Sequence, residues 1–111
     1  MGVTEKEPNV PIFINTPYII KDDFIHSIRI LSITSTEISF LESDATIIIE
    51  KDGKEILNKP IKNYVRNNII NKAFFERDNK FIIQEFNTCS IKIQLNNHKG
   101  DSKCSLHYMV L

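Results

Sequence analysis

Apolar and polar positions alternate one for one through the last third of the chain. Cys89, Ile91, Ile93 and Leu95 alternate with Ser90, Lys92 and Gln94. After a polar loop, Cys104, Leu106, Tyr108 and Val110 alternate with Lys103, Ser105 and His107. A period of two held twice in succession predicts two half-buried antiparallel strands. With the intervening loop as the hairpin end, the two are expected to be neighbours. Leu111 follows without a polar tail, so this stretch is expected to be tied into a sheet.

Shorter runs of the same kind precede it. Phe24, Ile28 and Ile30 share one parity and Ile25, Leu31 and Ile33 the other, which predicts a strand covered on both faces or a bulge near His26-Ser27. Ile38 and Phe40 read as a short inward-facing strand, and Ala45 to Ile49 as another. Asp52-Gly53 between apolar runs predicts a two-residue type I′ hairpin, with Ile49 opposite Ile56 and Glu50 opposite Glu55. Pro60 reads as a strand start. Val65, Ile69, Ile70, Ala73 and Phe74 recur at helical spacing, but Asn67, Asn68 and Asn71 disfavour a helix, so 64–74 is expected to hold at most one short helical turn. Ala73–Phe75 and Phe81–Phe86 read as strands joined by a turn at 77–80.

Residues 1–20 differ in character. Pro8, Pro11 and Pro17 punctuate Ile12-Phe13-Ile14 and Tyr18-Ile19-Ile20, and each proline holds its predecessor extended. Such a segment is a poor central strand. It reads as an N-terminal arm laid on its own sandwich or on a neighbouring subunit, or as an edge strand of the same domain. The whole predicts an all-β chain: an arm over 1–20 and one antiparallel β-sandwich over 21–111, Ig-like or jelly-roll-like, of about seven or eight short strands.

Composition supports one domain. The 111 residues are 41% hydrophobic and 25% charged, ordinary for a globular chain and wrong for a disordered one, and the apolar share is rich in Ile. Lys+Arg 14 balances Asp+Glu 14. The basic excess that phosphate backbones select is missing, so no nucleic-acid partner is expected. Zero net charge gives no protection against association, so the protein is expected to work in contact with a partner. No run is apolar enough for a membrane span and MGVTEKEPN is too polar for a signal peptide. Lys6 stands where myristoylation needs Ser or Thr. Cys89 and Cys104 fall on inward positions, on the order of 20 Å apart in the hairpin register, and read as free thiols in a reducing cytoplasm.

Chemistry-bearing motifs are sparse. Glycine stands only at Gly2, Gly53 and Gly100, so neither a Walker loop nor a dinucleotide fingerprint can be built, and no cofactor is expected. His26, His98 and His107 have no metal-ligand spacing with Cys or carboxylates, and solvated surface histidines explain them as well. The carboxylates are scattered among lysines, as on a solvated face. No catalytic or metal-binding residue is expected. A carbohydrate- or ligand-binding module is the alternative reading. It would use Tyr64 together with Asn96, Asn97 and His98 in the loop Asn96–Ser102, although plain connection accounts for that loop too.

The arm Glu7-Pro8-Asn9-Val10-Pro11-Ile12-Phe13 and the closing Ser90–Leu95 and Leu106–Leu111 resemble, in style and without a diagnostic motif, the small β-sandwich accessory proteins of bacteriophage virions. Those proteins decorate capsids or attach fibres. The resemblance implies a non-enzymatic assembly protein located in the virion, with a capsid or other assembly subunit, or a second copy of itself, as partner. The resemblance carries over no functional residue; from the arm itself, the residues expected at a contact are Pro11, Ile12, Phe13, Ile14 and Tyr18.

Overall fold

The computed structural model describes residues 6–34, 44–61, 65–66, 69–70, 81–96 and 102–111, and none of these is α-helical. Ten strands run through them: β1 (Asn9–Phe13), β2 (Tyr18–Ile20), β3 (Ile28–Thr34), β4 (Thr46–Lys51), β5 (Lys54–Pro60), β6 (Val65–Arg66), β7 (Ile69–Ile70), β8 (Ile82–Ile83), β9 (Cys89–Gln94) and β10 (Lys103–Val110).

The turn at Asp52-Gly53 is the centre of a nested pairing. Both residues have positive φ (50° and 83°), as a type I′ turn demands and as Asp-Gly tolerates. On either side of it, β4 pairs with β5. One step out, β3 pairs with β7 and β8; then β2 pairs with β9, and finally β1 with β10, all antiparallel. Folding this long nested hairpin over itself yields two sheets. One has the order β1-β10-β3-β7-β6 with β8 also on β3, and the other β2-β9-β4-β5. That is a jelly roll rather than an Ig-like sandwich. β7 meets β3 at Thr34↔Ile69 and β8 meets it at Arg29↔Ile82 and Ile28↔Ile83, so the two short strands occupy one place beside β3.

The core lies between the sheets and is mostly isoleucine. Ile28, Ile30, Ile33, Ile47, Ile49, Ile91 and Ile93 are fully buried, with Phe81, Phe86 and Leu106 among them. Each such side chain contributes roughly 1.5–3 kcal/mol by leaving water. Branched side chains suit a pleated surface, which is why an Ile-rich chain of this length folds into sheets.

Several expectations need correction. β9 and β10 are well-formed strands, but they are not neighbours: β9 lies between β2 and β4, and β10 between β1 and β3. Alternation fixes which face of a strand is buried, not which strand lies beside it. The apolar rows Cys89-Ile91-Ile93 and Cys104-Leu106-Tyr108 therefore line opposite walls of one core, and the hairpin separation of the thiols does not apply. Both cysteines are buried and neither is in a disulfide.

The parity change in β3 comes from a bulge at Leu31: Tyr108 pairs with Ile30 and His107 with Ser32. One extra residue turns Ile33 back to the face already used by Ile28 and Ile30. Phe24 precedes the strand. In the β4–β5 hairpin Glu50 does oppose Glu55, but Ile56 bulges out and Leu57 takes the place opposite Ile49. The reason is burial, since Leu57 is enclosed and Ile56 half-exposed. Pro60 ends an edge strand instead of starting one. Val65–Arg66 pairs with Ile69–Ile70, in keeping with at most one helical turn over 64–74, and the rest of that stretch lies outside the described residues. The strand expected at 38–41, the one at 73–75 and the turn at 77–80 lie outside the described residues, and Phe81–Phe86 contributes only β8.

Asp52 also fastens the centre of the fold to the segment that leads into β9. Its Oδ1 accepts the N–H groups of Asn87 and Thr88, each at 2.8 Å, while its own N–H donates to the Thr88 carbonyl at 2.8 Å. The Thr88 and Asn87 amides hold the carboxyl below its ordinary value of 3.8. A depressed folded pKa adds stability above the unfolded value and loses it as pH falls through the folded one. Asp52→Ala is therefore expected to lower the melting temperature at neutral pH, with Asp52→Asn in between. The gap between wild type and Asp52→Asn should close in acid; thermal denaturation across a pH series measures it.

Candidate interaction edge

β1 and β2 are consecutive in the chain, yet each is the edge strand of a different sheet. The crossing between them is built around Asn15. Thr16 N–H donates to the Phe13 carbonyl at 3.1 Å, closing a turn in which Asn15 has φ 64°. Asparagine tolerates that conformation better than most residues. Its N–H donates to the Ile93 carbonyl at 2.8 Å. Its side chain accepts from Leu95 N–H at 2.8 Å and donates to Leu95 C=O at 3.0 Å, an imitation of strand pairing. The corner is thus held by three hydrogen bonds, one to β9 at Ile93 and two to Leu95 just beyond its end.

Backbone direction follows from these bonds. Ile14 N–H reaches the Ser102 carbonyl, and Tyr108 N–H the Pro8 carbonyl. Even-numbered residues of β1 therefore point their N–H and C=O at β10; Asn9, Pro11 and Phe13 turn their backbone groups to the other side, where the Phe13 carbonyl is taken up by Thr16 N–H. Pro11 stands where an N–H would otherwise project outward, so it removes no ladder bond and leaves that edge short of a donor. On β9, Ile93 C=O faces the β2 side. Tyr18↔Ile91 and Ile20↔Cys89 are then the hydrogen-bonded pairs, and Ile19 directs its N–H and C=O outward.

The side chains named from the sequence divide accordingly. Ile12 (1% exposed) and Ile14 (5%) belong to the core and cannot touch a partner while the domain is folded. This is a correction: the segment is extended, but its apolar residues close the sandwich. Tyr18 is half-buried and packs on Tyr108, with ring centroids 6.4 Å apart. Burial, and then the hydrogen bond with Tyr18, push the Tyr108 hydroxyl pKa upward. Pro11 and Phe13 are exposed. The sequence did not single out Ile19, which is 58% exposed. Tyr18, Ile19 and Ile20 are all apolar, so no alternation in the sequence marks Ile19 as the outward one.

Of the loop alternative, Asn96 is exposed at a turn, while Tyr64, Asn97 and His98 lie outside the described residues. Among the described residues no three His, Cys, Asp or Glu side chains converge as a metal site would require. Burial, with Asp52 nearby, pushes the Cys89 thiol up to about 12, so it is a packing residue without thiolate character at neutral pH. His107 Nε2 lies 3.6 Å from Glu7 Oε1 on the outer face of the first sheet.

His26 has a role that its sequence context did not reveal. Nδ1 lies 2.9 Å from the Phe86 carbonyl and Nε2 2.9 Å from the Asp23 carbonyl. Both neighbours only accept, and a neutral imidazole donates from one nitrogen alone. The carbonyls of Phe86 and Asp23, in that order, therefore raise the His26 pKa above 6.5. The raised folded pKa adds stability below the unfolded value, and that contribution is lost as pH rises through the folded one. The stability gap between wild type and His26→Gln should accordingly be largest in mild acid and shrink as the pH rises through the folded pKa; urea melts across a pH series check this.

The chain matches no protein-family model, no curated protein and no solved structure.

Proposed function

We propose that this chain is a non-catalytic assembly subunit, virion-associated, that engages a protein partner along the side of the jelly roll formed by β1 and β2. The observation that carries this reading is the pair of open edges, with Phe13 and Ile19 presented on them at 45% and 58% exposure. Sheet edges offer unpaired backbone groups that a partner completes. The jelly roll is also an architecture of viral capsid domains, though it serves lectins and cupins as well, so fold supports the virion setting by analogy only.

The test places a photoreactive phenylalanine analogue at Phe13 or Ile19, and at Asn58 on the far edge strand β5 as control. Irradiation in the cells that make the protein is expected to yield a discrete adduct from the first two positions and none from the third. Equal adducts from all three positions, or none from Phe13 and Ile19, would overturn the reading. A capsid or other assembly subunit in the adduct would support the virion setting, a second copy of the chain captured at Ile19 agrees with an assembly subunit that also pairs with itself, and a protein outside any assembly would count against the setting.

A further inference from the structure

The described edges differ in how well they are defended. β1 carries Pro11 where its outward N–H would be. β5 has the Ile56 bulge, Lys59 on the same parity as buried Leu57 and Ile61, and Pro60 at its end. Prolines, bulges and inward-facing lysines are the usual means of preventing edge-to-edge pairing. β2 has none of these: its three residues are Tyr18, Ile19 and Ile20, and no described strand lies on its outer side.

We infer that β2 pairs with β2 of a second copy of this chain, antiparallel across a two-fold axis at Ile19, joining the two four-stranded sheets into one. The inference rests on the partner-binding reading above and names the occupant of one edge. The central residue is self-complementary. Ile19 directs both N–H and C=O outward, so the two Ile19 residues can exchange both hydrogen bonds, as a closed two-fold interface requires. Tyr18 falls opposite the partner's Ile20, and Lys21 opposite the partner's Pro17, whose carbonyl accepts while its missing N–H is not needed. No charge meets a like charge in this register, and a net charge of zero adds no repulsion between copies. So short a ladder covers less than a standard interface, so the dimer is expected to be concentration-dependent, in the micromolar-to-millimolar range.

Sedimentation equilibrium of the full chain is expected to show a mass rising with concentration from 12.9 kDa toward twice that value. Ile19→Lys and Ile19→Pro, which spare the bonds to β9, should keep the monomer mass over the same range. In a hydrogen-bonded antiparallel pair the Cα atoms lie about 5.5 Å apart, within disulfide reach. Ile19→Cys should therefore give an oxidised dimer faster than Asn58→Cys, against a low background from buried Cys89 and Cys104. A wild type that stays monomeric, Ile19→Lys that dimerises like wild type, or equal trapping at positions 19 and 58 would overturn the inference. If copies fail to pair while the photoreactive group at Ile19 captures a different protein, the inference fails and the partner-binding reading stands. If neither happens, both fail.

Discussion

Ile12→Ala is expected to lower the unfolding free energy of the isolated protein by about 2–5 kcal/mol, the usual range for removing most of a buried aliphatic side chain. Ile12 is 1% exposed and pairs in register with Cys104 on β10. Stabilities of single domains run to about 5–15 kcal/mol, so the variant stands close to unfolding. The adjacent Phe13→Ala removes a larger side chain from an exposed position and should shift stability by only about 0.5 kcal/mol. Urea denaturation followed by circular dichroism distinguishes the two. Were residues 1–20 a detachable arm, both substitutions would leave the midpoint of the isolated domain unchanged.

Phe86→Ala is expected to cost about 3–5 kcal/mol. The ring is fully buried, and the backbone on either side of it is fixed: Phe86 N–H donates to the His26 carbonyl at 2.9 Å while its own carbonyl meets His26 Nδ1. The neighbouring Glu85 has φ 56°, an uncommon conformation for a glutamate, and its N–H donates to Ser27 Oγ at 3.2 Å. With the loop pinned in this way, the walls have little freedom to collapse into the space left by the ring, which places the cost at the upper part of the range. A loss below about 1 kcal/mol in the same urea assay would show that the site relaxes freely and that the pinning is illusory.

The architecture was legible in the sequence as far as strand periodicity reaches. Rows such as Cys89-Ile91-Ile93 and Cys104-Leu106-Tyr108 announce half-buried strands, Asp52-Gly53 announces its turn, and Pro11 announces an edge. Strand partnership was not legible, because period two assigns faces but leaves neighbours open; β9 and β10 were expected to be side by side and instead lie in opposite sheets. The bulges at Leu31 and Ile56 were hidden for a related reason. A single extra residue is visible only as a parity change, and that change can be placed at several positions. For the candidate edge, Pro11 and Phe13 were expected at a contact and are exposed, whereas Ile12 and Ile14 were expected there and are buried, since an apolar tip on an edge strand looks the same facing in or out. Which backbone groups point outward depends on register, so the special place of Ile19 emerged only with the pairing of β2 to β9. His26 and Asp52 act through carbonyls and amides distant in sequence, which no local pattern encodes.

Residue-resolved amide hydrogen exchange in dilute solution tests the central claim, that the first two strands are built into the two sheets and leave β2 open. Tyr18 and Ile20, hydrogen-bonded to β9, should exchange slowly, and Ile19 between them quickly; on β1, Ile12 should be protected and Phe13 not. Raising the protein concentration should then slow Ile19 alone among these. Uniformly fast exchange from residue 9 to residue 20 would contradict the account, because the segment would then be an unpaired arm.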